Sequence, residues 1–539
     1  MCLKYKKTTA LTLALALGIG CFSGCKTKGN LKDDTRYTYT MTMYTSRSIN
    51  DDSVQKKAIE DKYNINLDVW DVEWQKYNQI MDLKIASGEV PDIIYAKSAT
   101  DAQRYIEQGV AATLDEDYLR EKMPNVFARL DEDAPDIMKY YYIDGKLSAL
   151  PSFSVETGIS GIPMVWRGDW LKNVGIDKVP ETIDEYEEAF YKIANNDPDG
   201  NGKKDTYGLS RSGMYAVFAS YGYIPYICRQ SEVTSMHWIE KDGTLVYSSV
   251  QPEMKQALAK LRKWYSDGVL DPEFITGENK GGYWAISHQF INGVIGFTCH
   301  GMSYHWEPMF YEDTNVVVSS QNRYALSKLN PDAADSLEIS GVIPKNIAKE
   351  DYGAKEYVRG ERWMFSKQLV DDKQKFENLL AIYNDIYASK SNYDFATMGE
   401  QNVVWKYSEA NASTGGTFLK KTYIGDWKDE VYRINNSFDF CLFKPTFIKD
   451  ENFITPRDIW GTSKGFHLNT HPVNRLYVSL PSENEYRTEL LQLEEDAYYS
   501  IITGEKPIDY FDEFVSKWYS LGGAVLEKEA RDWYESINN

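Results

Sequence analysis

Past its first two dozen residues the chain alternates short strand-like runs with amphipathic helical ones, and no second long apolar run interrupts the pattern. Thr38–Thr45 is β-prone. Val54, Ala58 and Lys62 mark a helix, after which Ile65, Leu67 and Val69 alternate as a strand. Trp74, Tyr77, Met81 and Ile85 recur at helical spacing, with Gly88 as the stop. Asp92–Ala96 reads as a short buried strand, and Ala102–Gln108 as a helix ended by Gly109. This alternation predicts an α/β fold, a mainly parallel sheet with helices on both faces. Further on, Thr182 and Glu185 form a capping box, and Ile183, Tyr186, Phe190 and Ile193 line one face of the helix that follows. Met254, Leu258, Leu261 and Tyr265 line another helix, stopped by Asp267-Gly268, and Phe376, Leu380 and Tyr383 mark a third. The roughly 500 residues beyond the leader exceed what one hydrophobic core holds, so at least two domains are expected. No linker and no fixed-period repeat divides them, which predicts a chain that crosses between its domains more than once.

The amino terminus restricts location. Lys4, Lys6 and Lys7 precede an apolar stretch, Thr8–Gly20, that is shorter than the ~20 residues needed to span a bilayer. Residues 1–24 therefore read as a secretory signal peptide. Phe22-Ser23-Gly24-Cys25 resembles the lipobox of bacterial lipoproteins, with Phe22 where an aliphatic residue is usual. The resemblance implies lipidation of Cys25, and the polar residues 25–37 then form a tether. Gly18-Ile19-Gly20-Cys21 is a weaker match, and an ordinary signal peptide with an incidental cysteine is the plainer alternative. A lipid anchor on the outer face of the cell membrane is expected.

The formal charge is −20, with 80 acidic against 60 basic residues. An acidic body of this kind repels nucleic acid. Of six cysteines, Cys2 and Cys21 fall in the leader and Cys25 is the lipid site. Cys228, Cys299 and Cys441 remain, an odd number with no CxxC spacing, so buried free thiols are expected. The chain holds 14 Trp, 40 Tyr and 21 Phe. Most must be core, but flat rings with polar edges also match the faces of sugar rings.

Several stretches, in order along nearly the whole chain, resemble the large extracellular solute-binding proteins of family 1, in their Gram-positive lipoprotein branch. They are Ser87-Gly88-Glu89-Val90-Pro91-Asp92-Ile93, then Arg167-Gly168-Asp169-Trp170-Leu171 with Gly175, Pro180, Thr182 and Glu185. Trp264–Glu273, Phe290–Gly296 and Ile501–Gly504 with Pro507, Phe511–Val515, Trp518 and Gly522-Gly523 complete the set. The resemblance implies a two-lobe, periplasmic-binding-protein-like fold of type II, with ligand held between the lobes. It places crossings near Leu150–Ser152, Arg359–Phe365 and Phe438–Pro445. Residues 38–155 and 360–437 would form the first lobe, and 156–359 and 438–539 the second. It implies capture of an oligosaccharide for an ABC permease by a monomer that is not an enzyme.

Asp197-Pro198-Asp199-Gly200-Asn201-Gly202-Lys203-Lys204-Asp205 has the spacing of an EF-hand calcium loop. Oxygens of Asp197, Asp199 and Asn201, the Lys203 carbonyl and Asp205 would converge on a hard cation, with Gly202 at the sharp turn. Position twelve is Gly208, so the usual bidentate glutamate is missing; either Asp205 binds directly or Thr206 adds an oxygen. The resemblance supports a structural Ca2+, and a solvated Asp/Asn/Gly turn is the alternative.

Ligand sites in open α/β folds lie where loops leave strand ends. Ser46 and Arg47 follow the first strand, and Lys97 and Ser98 follow the Asp92 strand. Trp306, then Trp284, Trp74 and Trp363, are the preferred stacking candidates, with Tyr304 and Trp405 beside them. For any one of them burial is the commoner fate, and Trp170 reads as core. Arg47 and Arg359 could hold hydroxyls or a uronic carboxylate bidentately, although a surface ion pair is the commoner use of each. The competing classes are a secreted carbohydrate-active enzyme, which needs two suitably separated carboxylates, and a peptide-binding lipoprotein. No GxSxG or HExxH motif is present.

Overall fold

The computed structural model describes residues 35–44, 52–73, 76–135, 137–143, 145–152, 161–228, 236–276, 286–308, 320–352, 361–411, 417–445 and 456–538. Nine strands build its two main sheets. In chain order they are β1 (Tyr37–Tyr44), β2 (Ile65–Val72), β3 (Ile93–Ala96), β4 (Leu150–Pro151), β5 (Met164–Trp166), β6 (Tyr207–Leu209), β7 (Ile295–Thr298), β8 (Glu338–Ser340) and β9 (Arg362–Phe365).

The first sheet has the order β2-β1-β3-β9-β4. β1 runs parallel to β2 and β3, while β9 runs antiparallel to β3 and β4. The second sheet has the order β8-β5-β7-β6. In it β7 is parallel to β6 and antiparallel to β5. The chain therefore leaves the first sheet after β4, builds the second with β5 to β8, and returns as β9.

Each sheet has its own core, because each strand face must be covered by a helix of matching periodicity. In the first, Tyr39, Met41, Ile65 and Ile93 pack under Phe376, Leu380 and Tyr383 of the helix Lys373–Ile386. In the second, Trp166 on β5 is ringed by Tyr186, Phe190 and Phe297, with centroids 4.5–5.2 Å away. The helix Ile183–Asn195 supplies two of those rings, and its capping box is formed: Thr182 Oγ1 accepts from Glu185 N, and the Glu185 carboxylate accepts from Thr182 N. The last three helices, Glu483–Thr503, Tyr510–Trp518 and Ala524–Asn538, close over this second core. Trp518 stacks on Tyr247 with centroids 4.7 Å apart.

Two local expectations change. The helix Val54–Tyr63 forms, but its buried face carries Gln55, Ile59 and Tyr63, while Val54 is exposed. Ile59 and Tyr63 bring more apolar area to the sheet than the Val54–Ala58–Lys62 stripe, so the helix turns them inward. The stretch assigned to the third crossing also packs differently. Phe438, Phe440, Leu442 and Phe443 sit in the first core, Phe440 stacked on Tyr383 and Phe443 on Tyr387. The first body thus runs on to Phe443 before the chain leaves it, and 456–538 resumes with most of its apolar residues in the second body.

The two bodies touch beside the crossings. Arg362 Nη2 donates to Tyr477 O at 3.5 Å, and Tyr140 packs edge-on to Tyr477 at 4.8 Å. Trp533, on the final helix, packs against both cores.

Candidate functional site

The crossings show which ends of the sheets face each other. The chain leaves the first sheet at Ser152, whose N–H donates to Glu361 O at 3.3 Å, beside the carboxyl end of β4. It enters the second at Gly161, whose carbonyl accepts from Ser303 N at 2.8 Å, on the loop after β7. After the last crossing, Arg457 lands on the same loop and grips Glu307 at two points, 2.6 and 2.5 Å. The nine Cα–Cα steps from Ser152 to Gly161 reach at most ~32 Å when extended. The carboxyl ends of β3 and β4 therefore stand opposite the carboxyl ends of β6 and β7, the position where open α/β sheets bind ligands.

On the first-lobe side, Lys97 and Ser98 follow β3. Ser98 caps the helix Ala99–Glu107: its Oγ accepts from Asp101 N at 3.1 Å and donates to Asp101 Oδ2 at 2.8 Å. Burial lowers the Lys97 ammonium below the ordinary lysine range, and Asp101 and Glu361 oppose that shift. On the second-lobe side, Ser210, Arg211 and Ser212 follow β6. Ser212 Oγ meets Thr298 Oγ1 at 2.7 Å, and Ser210 Oγ is buried with no hydrogen-bond partner among the described residues. The loop after β7 adds His300, Tyr304, His305 and Glu307. Burial raises the Glu307 carboxyl above the usual range, against the pull of Arg457. Burial lowers His305 to about 4, with His300 adding to the shift, so its imidazole is neutral at physiological pH.

The sequence candidates separate by place. Trp74, Trp284, Ser46, Arg47, Arg359 and Cys25 lie outside the described residues. Trp306 follows β7 as expected, but it is 0% exposed, edge-on to Phe290, with Nε1 donating to His300 O at 2.7 Å. Trp405 is 1% exposed in a small separate cluster with Val404 and Trp427, its Nε1 donating to Gly399 O. Trp363 lies on β9 against Tyr95 and donates to Leu442 O at 2.8 Å. Rings so enclosed offer no stacking face in this arrangement, because each indole packs into its own core and has its N–H satisfied there. Tyr304 is half-buried, edge-on to His305. Ser98, Lys97 and Tyr304 are thus the described candidates that sit at the facing ends. Sequence reasoning missed Ser210, Arg211 and the Glu307–Arg457 pair. The strand-end rule that singled out Lys97 and Ser98 would have found Ser210 and Arg211, had Tyr207–Leu209 been read as a strand.

The acidic loop stands apart, after the helix Ile183–Asn195. Its carboxylates turn inward around Asn201. The Asn201 N–H donates to Asp197 Oδ1 at 3.0 Å, and its side-chain amide donates to Asp199 at 2.8 Å and to Asp205 at 3.2 Å. Gly202 N donates to Asp197 Oδ2 and Lys203 N to Asn201 Oδ1. Burial, with Asp197 and Asp205 close by, holds the Asp199 carboxyl above its ordinary value. Half a turn of the Asn201 amide would present an oxygen where the three carboxylates meet, so the donor set has the chemistry of a hard-cation site. Thr206 is not part of it: its Oγ1 donates to Ile193 O at 3.0 Å, and the residue is buried. Among the described residues, no group of three or more His, Cys, Asp or Glu is placed to hold a metal ion as it stands.

Two separately cored lobes, joined by three crossings and facing each other through their strand ends, define a two-lobe binding protein of the type II periplasmic kind. The chain belongs to the bacterial extracellular solute-binding protein family, whose match covers residues 55–390. It is 24% identical over 540 residues to the polygalacturonan/rhamnogalacturonan-binding protein YtcQ of Bacillus subtilis (strain 168), covering 97% of this chain and 98% of that one. It is 28% identical over 564 residues to Lipoprotein LipO of the same organism, covering 98% of each. Among solved structures, the HMO-binding, ABC-transporter-associated solute-binding protein from Bifidobacterium longum infantis ATCC 15697 superposes with a TM-score of 0.65 at 16% identity, over 93% of this chain and 99% of that one. The protein is thus a solute-binding protein and not an enzyme. Among the described residues no helix is long and apolar enough to cross a membrane.

Proposed function

We propose that the protein captures an oligosaccharide between its two lobes and presents it to the transmembrane subunits of an ABC importer. The observation that carries this reading is the opposition of the two sets of strand ends, each lined by hydroxyl and charged side chains, across three chain crossings. Rotation about the crossings closes the lobes over the ligand, and a ligand that contacts both lobes favours the closed form. Micromolar affinity corresponds to about 8 kcal/mol, which a few hydroxyl hydrogen bonds and one or two ring faces supply. The sugar-binding relative supports this class of ligand. Lipidation of Cys25 keeps the protein at the outer membrane face, and the relative that is a lipoprotein supports that anchor. Titration calorimetry against a glycan panel tests the reading. Saturable binding without turnover is expected, whereas binding to peptides alone would overturn it.

The acidic loop holds a structural Ca2+ in this reading, through Asp197, Asp199, Asn201, the Lys203 carbonyl and Asp205. Binding only to the folded chain stabilises it by RT ln(1 + [L]/Kd), roughly 2–3 kcal/mol at a hundred-fold excess over Kd. Stripping the protein with a chelator should therefore lower its melting temperature by several degrees, and Ca2+ should restore it. A melting temperature indifferent to both treatments would argue against the ion.

A further inference from the structure

We propose that Arg211 recognises a carboxylate on the bound sugar, so that the ligand is an acidic oligosaccharide containing uronic acid units. This rests on the reading of the groove as a sugar site and narrows it. Arg211 lies two residues beyond the end of β6, on the side facing the first lobe, and is half-buried. Its Nε donates to Ile227 O at 3.1 Å, which fixes the guanidinium plane. The turn Tyr226–Cys228 that supplies this carbonyl is itself anchored, since Glu494 Oε1 accepts from Tyr226 N at 2.7 Å. The guanidinium is thus held rather than free to follow solvent, and its two terminal nitrogens make no hydrogen bond among the described residues.

Its charge is also unmatched. Among the lobe's other half-buried or buried arginines, Arg167 and Arg457 have carboxylates, Asp169 and Glu307, while Arg262 and Arg475 donate terminal nitrogens to backbone carbonyls. No carboxylate of the described residues lies within 4.0 Å of Arg211. Its ionisable neighbour is the Cys228 thiol, which burial keeps neutral. In a chain with 80 acidic residues, a fixed and partly desolvated cation without a counter-charge is costly unless something else supplies the anion. A neutral sugar offers hydroxyls, which any neutral donor satisfies. A uronate offers two coplanar oxygens that match the remaining face of the fork.

Titration calorimetry on the full mature protein tests this. The probes are short oligomers of galacturonic, mannuronic and glucuronic acid, each beside its methyl ester of the same length. The wild type should bind at least one acid about tenfold or more tightly than its ester. Arg211→Gln should lose that preference, weakening the acid about tenfold while holding the ester within about twofold. Arg211→Lys, which keeps the charge but not the fork, should fall between. Ester binding and an unchanged melting temperature show that a variant has folded. Equal affinity of the wild type for acid and ester, or a preference that survives Arg211→Gln, overturns the proposal. Tight binding confined to neutral glycans overturns it while leaving the sugar reading intact, and silence towards every glycan overturns both.

Discussion

Gly208→Glu, which writes the missing twelfth-position glutamate into the acidic loop, is expected to destabilise the second lobe by roughly 4 kcal/mol or more rather than to tighten a cation site. Gly208 sits in β6 facing the helix Ile183–Asn195. A Cβ there would lie 2.5 Å from Phe190 Cβ and 2.8 Å from Phe190 Cα. The second of these is backbone and cannot swing aside. The strand cannot retreat either, because Gly208 N donates to Val269 O and the neighbouring Leu209 pairs with Phe297 on β7. The new carboxylate would also point into a core of rings, not back toward Asp197. The absence of glutamate is thus a packing requirement of the lobe. Denaturant melts of wild type and variant, with and without Ca2+, decide this. A variant as stable as the wild type that binds Ca2+ more tightly would contradict it.

The second large effect is a pH dependence set by Glu494, on the helix Glu483–Thr503. Burial pushes its carboxyl up to about 7 from an ordinary 4.5. Tyr247 donates to it at 2.6 Å and Tyr226 N at 2.7 Å, and these bonds oppose the shift without cancelling it. Tyr498 and Glu495 also face it, and Glu495 adds to the rise. The folded protein therefore keeps this proton up to about pH 7, while the unfolded chain releases it near 4.5. The stability contributed is fully present below 4.5 and is lost as pH rises through 7. Glu494→Gln does not titrate, so between pH 5 and pH 8.5 its stability should gain on the wild type by roughly 2–3 kcal/mol. Stability curves that stay parallel over that range would show that the carboxyl is ionised throughout.

What could be read in the sequence, and what could not, divides along physical lines. Local rules worked where a pattern is satisfied within one element. The Thr182–Glu185 box and the Ile183–Tyr186–Phe190–Ile193 face form as written, and the buried strand read as Asp92–Ala96 forms over Ile93–Ala96. The motif order gave the family, and with it the class of fold and the binding function. The fate of individual indoles was not legible, because an aromatic after a strand can fold inward or outward with equal local propriety. Trp306 and Trp405 went inward, each satisfied by a carbonyl six residues away in sequence. Thr206 likewise turns inward and donates to Ile193 O, so it adds no oxygen to the acidic loop. Arg211 was hidden differently. Its strand is three residues long, too short for alternation to show, and its lack of a counter-charge is a property of space rather than of sequence.

The most direct test of two lobes closing on a guest is small-angle X-ray scattering of the mature protein, with and without a saturating oligosaccharide that calorimetry shows to bind one to one. A smaller radius of gyration in the complex, reversed when the sugar is dialysed away, is the predicted result. Stoichiometric binding that leaves the scattering curve unchanged would contradict capture by closure.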